Sequence, residues 1–253
     1  MDYDRLAEEC ARVLDNNYSD DLDELFQLGG SSGGARPKIL TKIDGEDWII
    51  KFPASINRRD IGLIEYRYSE CAKKCGIPMM ETKLFPSRKY EGYFGTKRFD
   101  RELKADGSIK RIHMLSVSAL LEVSHRIPSV DYSTLLALTL KLTQSYAEVE
   151  MMYRLMCFNM YAHNRDDHTN NFTFLYDEKV KAWKLSPAYD LTYSNSLSGE
   201  HATCINGNGK NPQLSDLLTL ADKIGFKSSK AKEIAELVRD TVAEELGDVE
   251  QYQ

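Results

Sequence analysis

Three short polar side chains have the types and the spacing needed for metal-assisted group transfer. Asp166 and Asn171 lie five positions apart in the run HNRDDHTNN, and Asp190 follows 19 positions later at the end of SPAYD. In this pattern the first carboxylate orients an attacking hydroxyl, and the other two groups hold a metal ion. The spacing therefore predicts phosphoryl transfer, with Asp166 as the catalytic base.

The metal that suits these residues is Mg²⁺. The oxygen atoms of Asn171 and Asp190 are hard ligands, and Mg²⁺ takes few protein ligands beside phosphate oxygens. Asp167 is predicted to be a supporting residue that either contacts the metal or caps the loop. His168 is predicted to be a hydrogen-bonding scaffold, because it has no companion ligands for a zinc site.

A glycine-rich segment at residues 29–34 places four glycines around two serines. Glycine lets backbone amides approach a phosphate closely, so Ser32, Gly33 and Gly34 are candidate nucleotide contacts. Ala35-Arg36 follows where a Walker A loop requires Lys-Ser/Thr, so the segment is not that motif. An ordinary hairpin loop remains the alternative.

A single lysine, Lys51, interrupts the apolar run WIIKF, and Glu65 falls in the next helical segment. A strand lysine held by a helix glutamate is a known arrangement for binding nucleotide phosphates. The alternative is an edge lysine whose ammonium group reaches solvent.

The elements that must position these groups change character along the chain. The first 99 residues are predicted to be mostly sheet, with a helix at 61–75 and a short amphipathic helix at 3–14. The strands are predicted at residues 25–28, 38–41, 48–52, 81–85 and 93–99. The remainder is predicted to be mainly helical, with a long stretch at 133–162, a hairpin at 172–176 and 182–185, and helices at 214–224 and 229–246.

Composition excludes several classes. The net charge of −6 disfavours a basic nucleic-acid surface, and no apolar run approaches the ~20 residues of a membrane span. The acidic N-terminus lacks a signal-peptide core, so export is not expected. Five cysteines without a C-x-x-C pair predict structural thiols, with Cys71 and Cys75 one helical turn apart, in a reducing, cytoplasmic setting.

Taken in order, these motifs resemble the HipA family of bacterial toxin kinases over roughly residues 25–195. The segments that carry the resemblance are GGSSGGARPK at 29–38, WIIKFP at 48–53, KRFDR at 97–101, NRDDHTNN at 164–171 and PAYDL at 187–191.

The resemblance implies an α+β, bilobal protein-kinase-like fold. A β-rich N-terminal lobe would span residues 1–100, and a mainly helical C-terminal lobe residues 101–253. It also implies a serine/threonine kinase that uses ATP and Mg²⁺. Lys51, held by Glu65, would contact the ATP phosphates, Asp166 would be the catalytic aspartate, and Asn171 and Asp190 would bind Mg²⁺.

The partners implied by the resemblance are those of a toxin–antitoxin system. They are a HipB-like helix-turn-helix antitoxin, through which DNA is reached only indirectly, and a protein substrate of the aminoacyl-tRNA synthetase type, with no membrane. Autophosphorylation of Ser31, with Ser32 as the adjacent candidate, would shut the kinase off, because a phosphate adds negative charge beside the ATP phosphates.

The sequence departs from the family pattern in two places. Asn170 stands where the family commonly has lysine, and only a short stretch precedes the first predicted strand. The usual N-terminal subdomain is therefore expected on a separate chain or absent. Two alternatives stay open: a catalytically weak nucleotide-binding or antitoxin-binding module, and a small-molecule or lipid kinase.

Overall fold

The structure is a computed structural model that describes residues 2–14, 36–54, 57–127, 129–196 and 199–252. Its helices are α1 (Tyr3–Leu14), α2 (Ile61–Lys74), α3 (Val117–Leu121), α4 (Tyr132–Thr143), α5 (Tyr146–Tyr161), α6 (Leu214–Lys223) and α7 (Ser228–Leu246), with 3-10 turns at Thr169–Asn171 and Val249–Tyr252. Its strands are β1 (Lys38–Ile43), β2 (Glu46–Lys51), β3 (Thr82–Phe85), β4 (Tyr93–Lys97), β5 (Arg101–Leu103), β6 (Ile109–Arg111), β7 (Met114–Ser116), β8 (Val130–Asp131), β9 (Thr173–Asp177), β10 (Ala182–Leu185) and β11 (Thr203–Cys204).

Some predictions lie outside the described residues. They are the strand at residues 25–28 and the glycine-rich segment at 29–34, with the candidate residues Ser31, Ser32, Gly33 and Gly34.

The described residues form two compact units, within Met1–Tyr66 plus Met80–Arg111 and within Arg67–Met79 plus Ile112–Gln253. Helix α2 contributes its first turns to one unit and its last turns to the other. The lobe boundary predicted at residue 100 stays a prediction.

The first unit is built on an antiparallel sheet with strand order β1-β2-β4-β3. Asp44 and Gly45 turn the chain between β1 and β2 with φ of 52° and 82°, the left-handed values that a tight hairpin requires. Helix α1 buries its apolar face, including Leu6 and Cys10, against Ile39 and other side chains of this sheet. The sheet thereby fixes β2, which carries Lys51.

In the second unit, helix α5 packs between α4 and α7, and most of its residues are buried. Strands β9 and β10 form the predicted hairpin, with β7 added to β9. The structure corrects the continuous helical stretch predicted at 133–162. Gln144 adopts a left-handed conformation (φ 52°) that ends α4, and the Ser145 side chain caps the start of α5.

The Arg98 guanidinium binds the Asp100 carboxylate through two hydrogen bonds of 2.8 and 2.7 Å, as a structural pair. All five cysteines are free thiols, and Cys71 and Cys75 are buried on α2. Among the described helices, none is long and apolar enough to cross a membrane.

Candidate active site

The candidate catalytic loop begins where α5 ends. His163 takes a left-handed backbone conformation (φ 50°), and Arg165 N–H donates to Ser194 O at 3.2 Å, which directs the chain away from the helix axis. The loop then closes on itself, because Asn171 Nδ2 donates to Asp166 O at 2.8 Å. The D-x4-N spacing is therefore the span of one hydrogen-bonded loop.

Tyr189 holds the segment that carries Asp190 against this loop. Its hydroxyl donates to Asn170 O and accepts a hydrogen bond of 2.6 Å from Thr173 Oγ1. Burial raises the pKa of Tyr189 to about 12, so the hydroxyl keeps its proton and remains a donor. Asp190 follows in a left-handed conformation (φ 54°), which aspartate tolerates better than most residues. Sequence reasoning did not single out Tyr189.

The Asp166 carboxyl has a raised pKa. The residue is exposed, yet neighbouring protein atoms exclude water from part of its carboxyl group. This desolvation is the largest cause of the raised pKa. The negative charges of Asp190 and Asp167 raise the pKa further, whereas His168 and His125 lower it.

Asp167 is buried, unlike its exposed neighbour Asp166. It is 1% exposed, and its carboxylate accepts hydrogen bonds from Tyr132 Oη (2.9 Å), His201 Nδ1 (2.9 Å) and Thr203 N (3.2 Å). Thr203 Oγ1 also donates to Asp167 O at 2.6 Å. These hydrogen bonds tie Asp167 to Tyr132, His201 and Thr203 and make it an internal anchor of the loop.

The network continues from Tyr132 into helix α5. Asn159 Nδ2 donates to Tyr132 Oη at 2.8 Å, and Asn164 Nδ2 donates to Asn159 Oδ1 at 2.9 Å. Tyr132, Asn159 and Asn164 are buried, so these bonds form in an environment where losing one is costly. The sequence signal for this network is weak: one asparagine in the apolar last turns of α5 and a second one three residues after the helix ends.

The side-chain contacts of His168 and Asn170 differ from those expected at their positions. Within the described residues, His168 Nδ1 is buried without a hydrogen-bond partner, so the predicted scaffold bond does not form through that atom. Its ring instead lies 5.4 Å from the ring of His125. Ser116 Oγ donates to the Asn170 side-chain oxygen at 3.4 Å, an uncharged contact at the position where lysine was expected.

In the first unit, Lys51 and Glu65 form the ion pair that the sequence suggested. Lys51 Nζ lies 2.6 Å from Glu65 Oε1, and the two side chains are 8% and 1% exposed. Arg36 binds the second oxygen of the same carboxylate. Lys51 is therefore buried on a strand that lies between β1 and β4, which removes the edge-lysine alternative.

The donor set fits a magnesium ion better than a metal that needs several protein ligands. Among the described residues, no group of three or more His, Cys, Asp or Glu side chains is arranged to hold a metal ion. Asn171 uses its Nδ2 within the loop, which leaves Oδ1 as a ligand, and the Asp190 carboxylate is exposed. One amide and one carboxylate oxygen match the sparse protein shell of Mg²⁺.

Comparisons with known proteins agree with this fold. The family model described as HipA-like C-terminal domain matches residues 30–246. The structure is similar to a chain of the HipA, HipB and operator DNA complex of the Shewanella oneidensis MR-1 toxin–antitoxin system, with a TM-score of 0.65 and 16% identity over 88% of this chain. This chain spans 66% of the length of that neighbour.

A second similar structure is the Helicobacter pylori proinflammatory kinase CtkA, with a TM-score of 0.50 and 14% identity over 84% of this chain and 92% of that one. Among curated proteins, no sequence matches this chain. At these identities the structural likeness is one of fold, and the prediction of an α+β, kinase-like fold is confirmed.

Proposed function

Since this chain belongs to the HipA-like C-terminal domain family, we propose that it is an ATP-dependent protein serine/threonine kinase of a toxin–antitoxin system. The observation that carries the proposal is the self-closed loop in which Asn171 Nδ2 donates to the Asp166 carbonyl, with the Tyr189 hydroxyl joining the segment of Asp190 to the same loop. This is the arrangement that phosphoryl transfer requires of a base and two oxygen ligands.

In the proposed reaction, an acceptor hydroxyl oxygen forms a bond to the γ-phosphorus of ATP as the bond to the β-γ bridging oxygen breaks. Asp166 orients that hydroxyl and receives its proton, and Lys51 holds phosphate oxygens while Glu65 fixes its ammonium group. Asn171 Oδ1 and the Asp190 carboxylate would hold Mg²⁺, which neutralises phosphate charge when it is bound.

The partners follow from the family and remain part of the proposal. A helix-turn-helix antitoxin of the HipB type would bind the chain, and DNA would be reached through that antitoxin. The protein substrate would be of the aminoacyl-tRNA synthetase type, in the cytoplasm. Ser31 or Ser32 would be the site of inhibitory autophosphorylation.

The decisive measurement is phosphate incorporation by the purified chain. With labelled ATP and Mg²⁺ we expect label on Ser31 or Ser32, mapped by mass spectrometry, and no label in Asp166→Ala, because the acceptor hydroxyl then lacks its base. Lys232→Ala, which removes an exposed ion pair with Glu236 on α7, is the matched control and should label normally. Absence of label in the wild type with both Mg²⁺ and Mn²⁺ would refute self-phosphorylation.

Asn170 favours one alternative function, a nucleotide-binding or antitoxin-binding module with weak catalysis. A lysine at this position would place a positive charge near the transferred group, whereas the amide only accepts a bond from Ser116. Nucleotide binding without transfer in the wild type, followed by transfer in Asn170→Lys, would establish this alternative.

A further inference from the structure

Glu65 is a buried carboxylate that binds two cations. Lys51 Nζ contacts Oε1 at 2.6 Å, and Arg36 contacts Oε2 through one terminal nitrogen. Glu65 is 1% exposed, and the Lys51 and Arg36 side chains are 8% and 16% exposed. One of these cations would already neutralise the carboxylate, so the second needs a separate explanation.

Two cations and one carboxylate leave this cluster with a net charge of +1. Positive charge held away from solvent favours the binding of an anion. The guanidinium also has five N–H donors in a planar fork, and within the described residues Arg36 makes no hydrogen bond other than the one to Glu65. The remaining donors are suited to phosphate oxygens.

The backbone keeps Arg36 beside Lys51. Phe52 N–H donates to Pro37 O at 2.8 Å, directly after Lys51, and Lys38 pairs with Lys51 across β1 and β2. Arg36 therefore enters the cluster from a fixed position at the end of the hairpin.

We propose that Arg36 is a second phosphate-binding cation, and that Arg36 and Lys51 together form a polyphosphate site whose spacing is set by Glu65. The proposal rests on the proposed function, since it adds a ligand to the phosphates of the same nucleotide. In the competing role, Arg36 would only neutralise Glu65 and stabilise α2.

Calorimetric titration separates these roles, with ATP, inorganic tripolyphosphate and adenosine as the three probes. We expect Arg36→Met to weaken binding of ATP and tripolyphosphate by about tenfold to a hundredfold, the size of a lost charge-assisted contact, and to leave adenosine unchanged. Arg36→Lys should fall between wild type and Arg36→Met, because it keeps the charge and loses the fork. Arg58→Met, which removes an exposed pair with Asp60 in the same unit, should match the wild type.

The inference is overturned if Arg36→Met binds tripolyphosphate like the wild type while its thermal stability falls, or if the wild type does not bind tripolyphosphate. If Arg36→Met does not fold, an unchanged affinity in Arg36→Lys overturns it equally. A wild type whose polyphosphate binding depends on Arg36 but which transfers no phosphate would refute the proposed kinase activity and leave this inference standing.

Discussion

Asp166 and Asp167 are adjacent, chemically identical side chains with opposite environments. Asp167 is buried and accepts three hydrogen bonds to its carboxylate, so its charge is compensated inside the protein. Asp166 is crowded by protein and by other carboxylates, and its pKa is raised. Asp167 stabilises the loop, whereas Asp166 has the perturbed pKa that is common among catalytic bases.

This contrast predicts opposite stability effects for the same substitution. The folded-state pKa of Asp166 is raised above the unfolded-state value of about 3.9, so ionised Asp166 destabilises the folded protein. This loss of stability is fully present once the pH exceeds the folded-state pKa and is absent below the unfolded-state pKa. Asp166→Asn should therefore raise Tm at pH 7 to 8 while phosphate transfer is lost, and the gain should vanish near pH 3.5.

Asp167→Asn is the matched comparison. It keeps the shape but replaces an acceptor of three hydrogen bonds by an amide, so we expect a loss of ~1–3 kcal/mol in the free energy of unfolding. Thermal melts over the pH range measure both variants. Equal destabilisation by the two substitutions would contradict the assignment of a buried anchor and an exposed, crowded base.

At the scale of elements, helix α2 is positioned by a close approach of backbone. A Cβ atom on Gly62, the second residue of α2, would lie 2.2 Å from Gly92 O, just before β4. Glu65 follows in the same turn, so the glycine allows the helix to bring this carboxylate to β2. A glycine near a helix start is usually replaceable, and only the packing shows why this one is not.

Gly62→Ala should consequently destabilise the protein, although alanine is the better helix former. Because the obstructing atom is backbone, relief requires a shift of α2, and we expect a loss of ~1–3 kcal/mol with weaker ATP binding. Chemical denaturation and nucleotide titration measure the two effects. Lys73→Ala, in a surface pair with Glu70 on the same helix, should change stability by no more than ~1 kcal/mol. A Gly62→Ala protein as stable as the wild type would disprove the packing argument.

At the scale of the molecule, the proposed binding of ATP predicts a change in the stability of the whole chain. A ligand that binds the folded chain and not the unfolded one stabilises it by mass action, by ~2.7 kcal/mol at a concentration of 100 Kd. Binding of ATP should therefore raise the Tm of the whole chain.

We expect Mg-ATP at 100 Kd to raise Tm by roughly 5–10 °C in a scanning-fluorescence melt. Lys51→Met should show a much smaller rise at the same ATP concentration, because the phosphates lose a buried cation. Lys42→Met, on the exposed side of β1, should respond like the wild type. An equal rise in Lys51→Met and wild type would mean that ATP does not bind at Lys51.

Much of the fold follows from patterns that are local in the chain. The strands at 38–41 and 48–52, the β9-β10 hairpin and helix α2 were predicted because strand and helix patterns act over a few neighbouring positions. The D-x4-N spacing and the Lys51–Glu65 pair were predicted from residue type and order. The family and the kinase-like fold also followed from the sequence, whereas the roles of the individual site residues remain predictions.

The tertiary structure decided what depends on residues distant in sequence. Gln144 and Ser145 are not strong helix breakers, yet the chain divides its long helical stretch there. Asp167 is buried, and not Asp166, because Tyr132, His201 and Thr203 bind its carboxylate. The proposed role of Arg36 likewise depends on the burial of Glu65. The sequence determines which groups are available for chemistry, and burial by remote elements decides which of them solvent and ligands can reach.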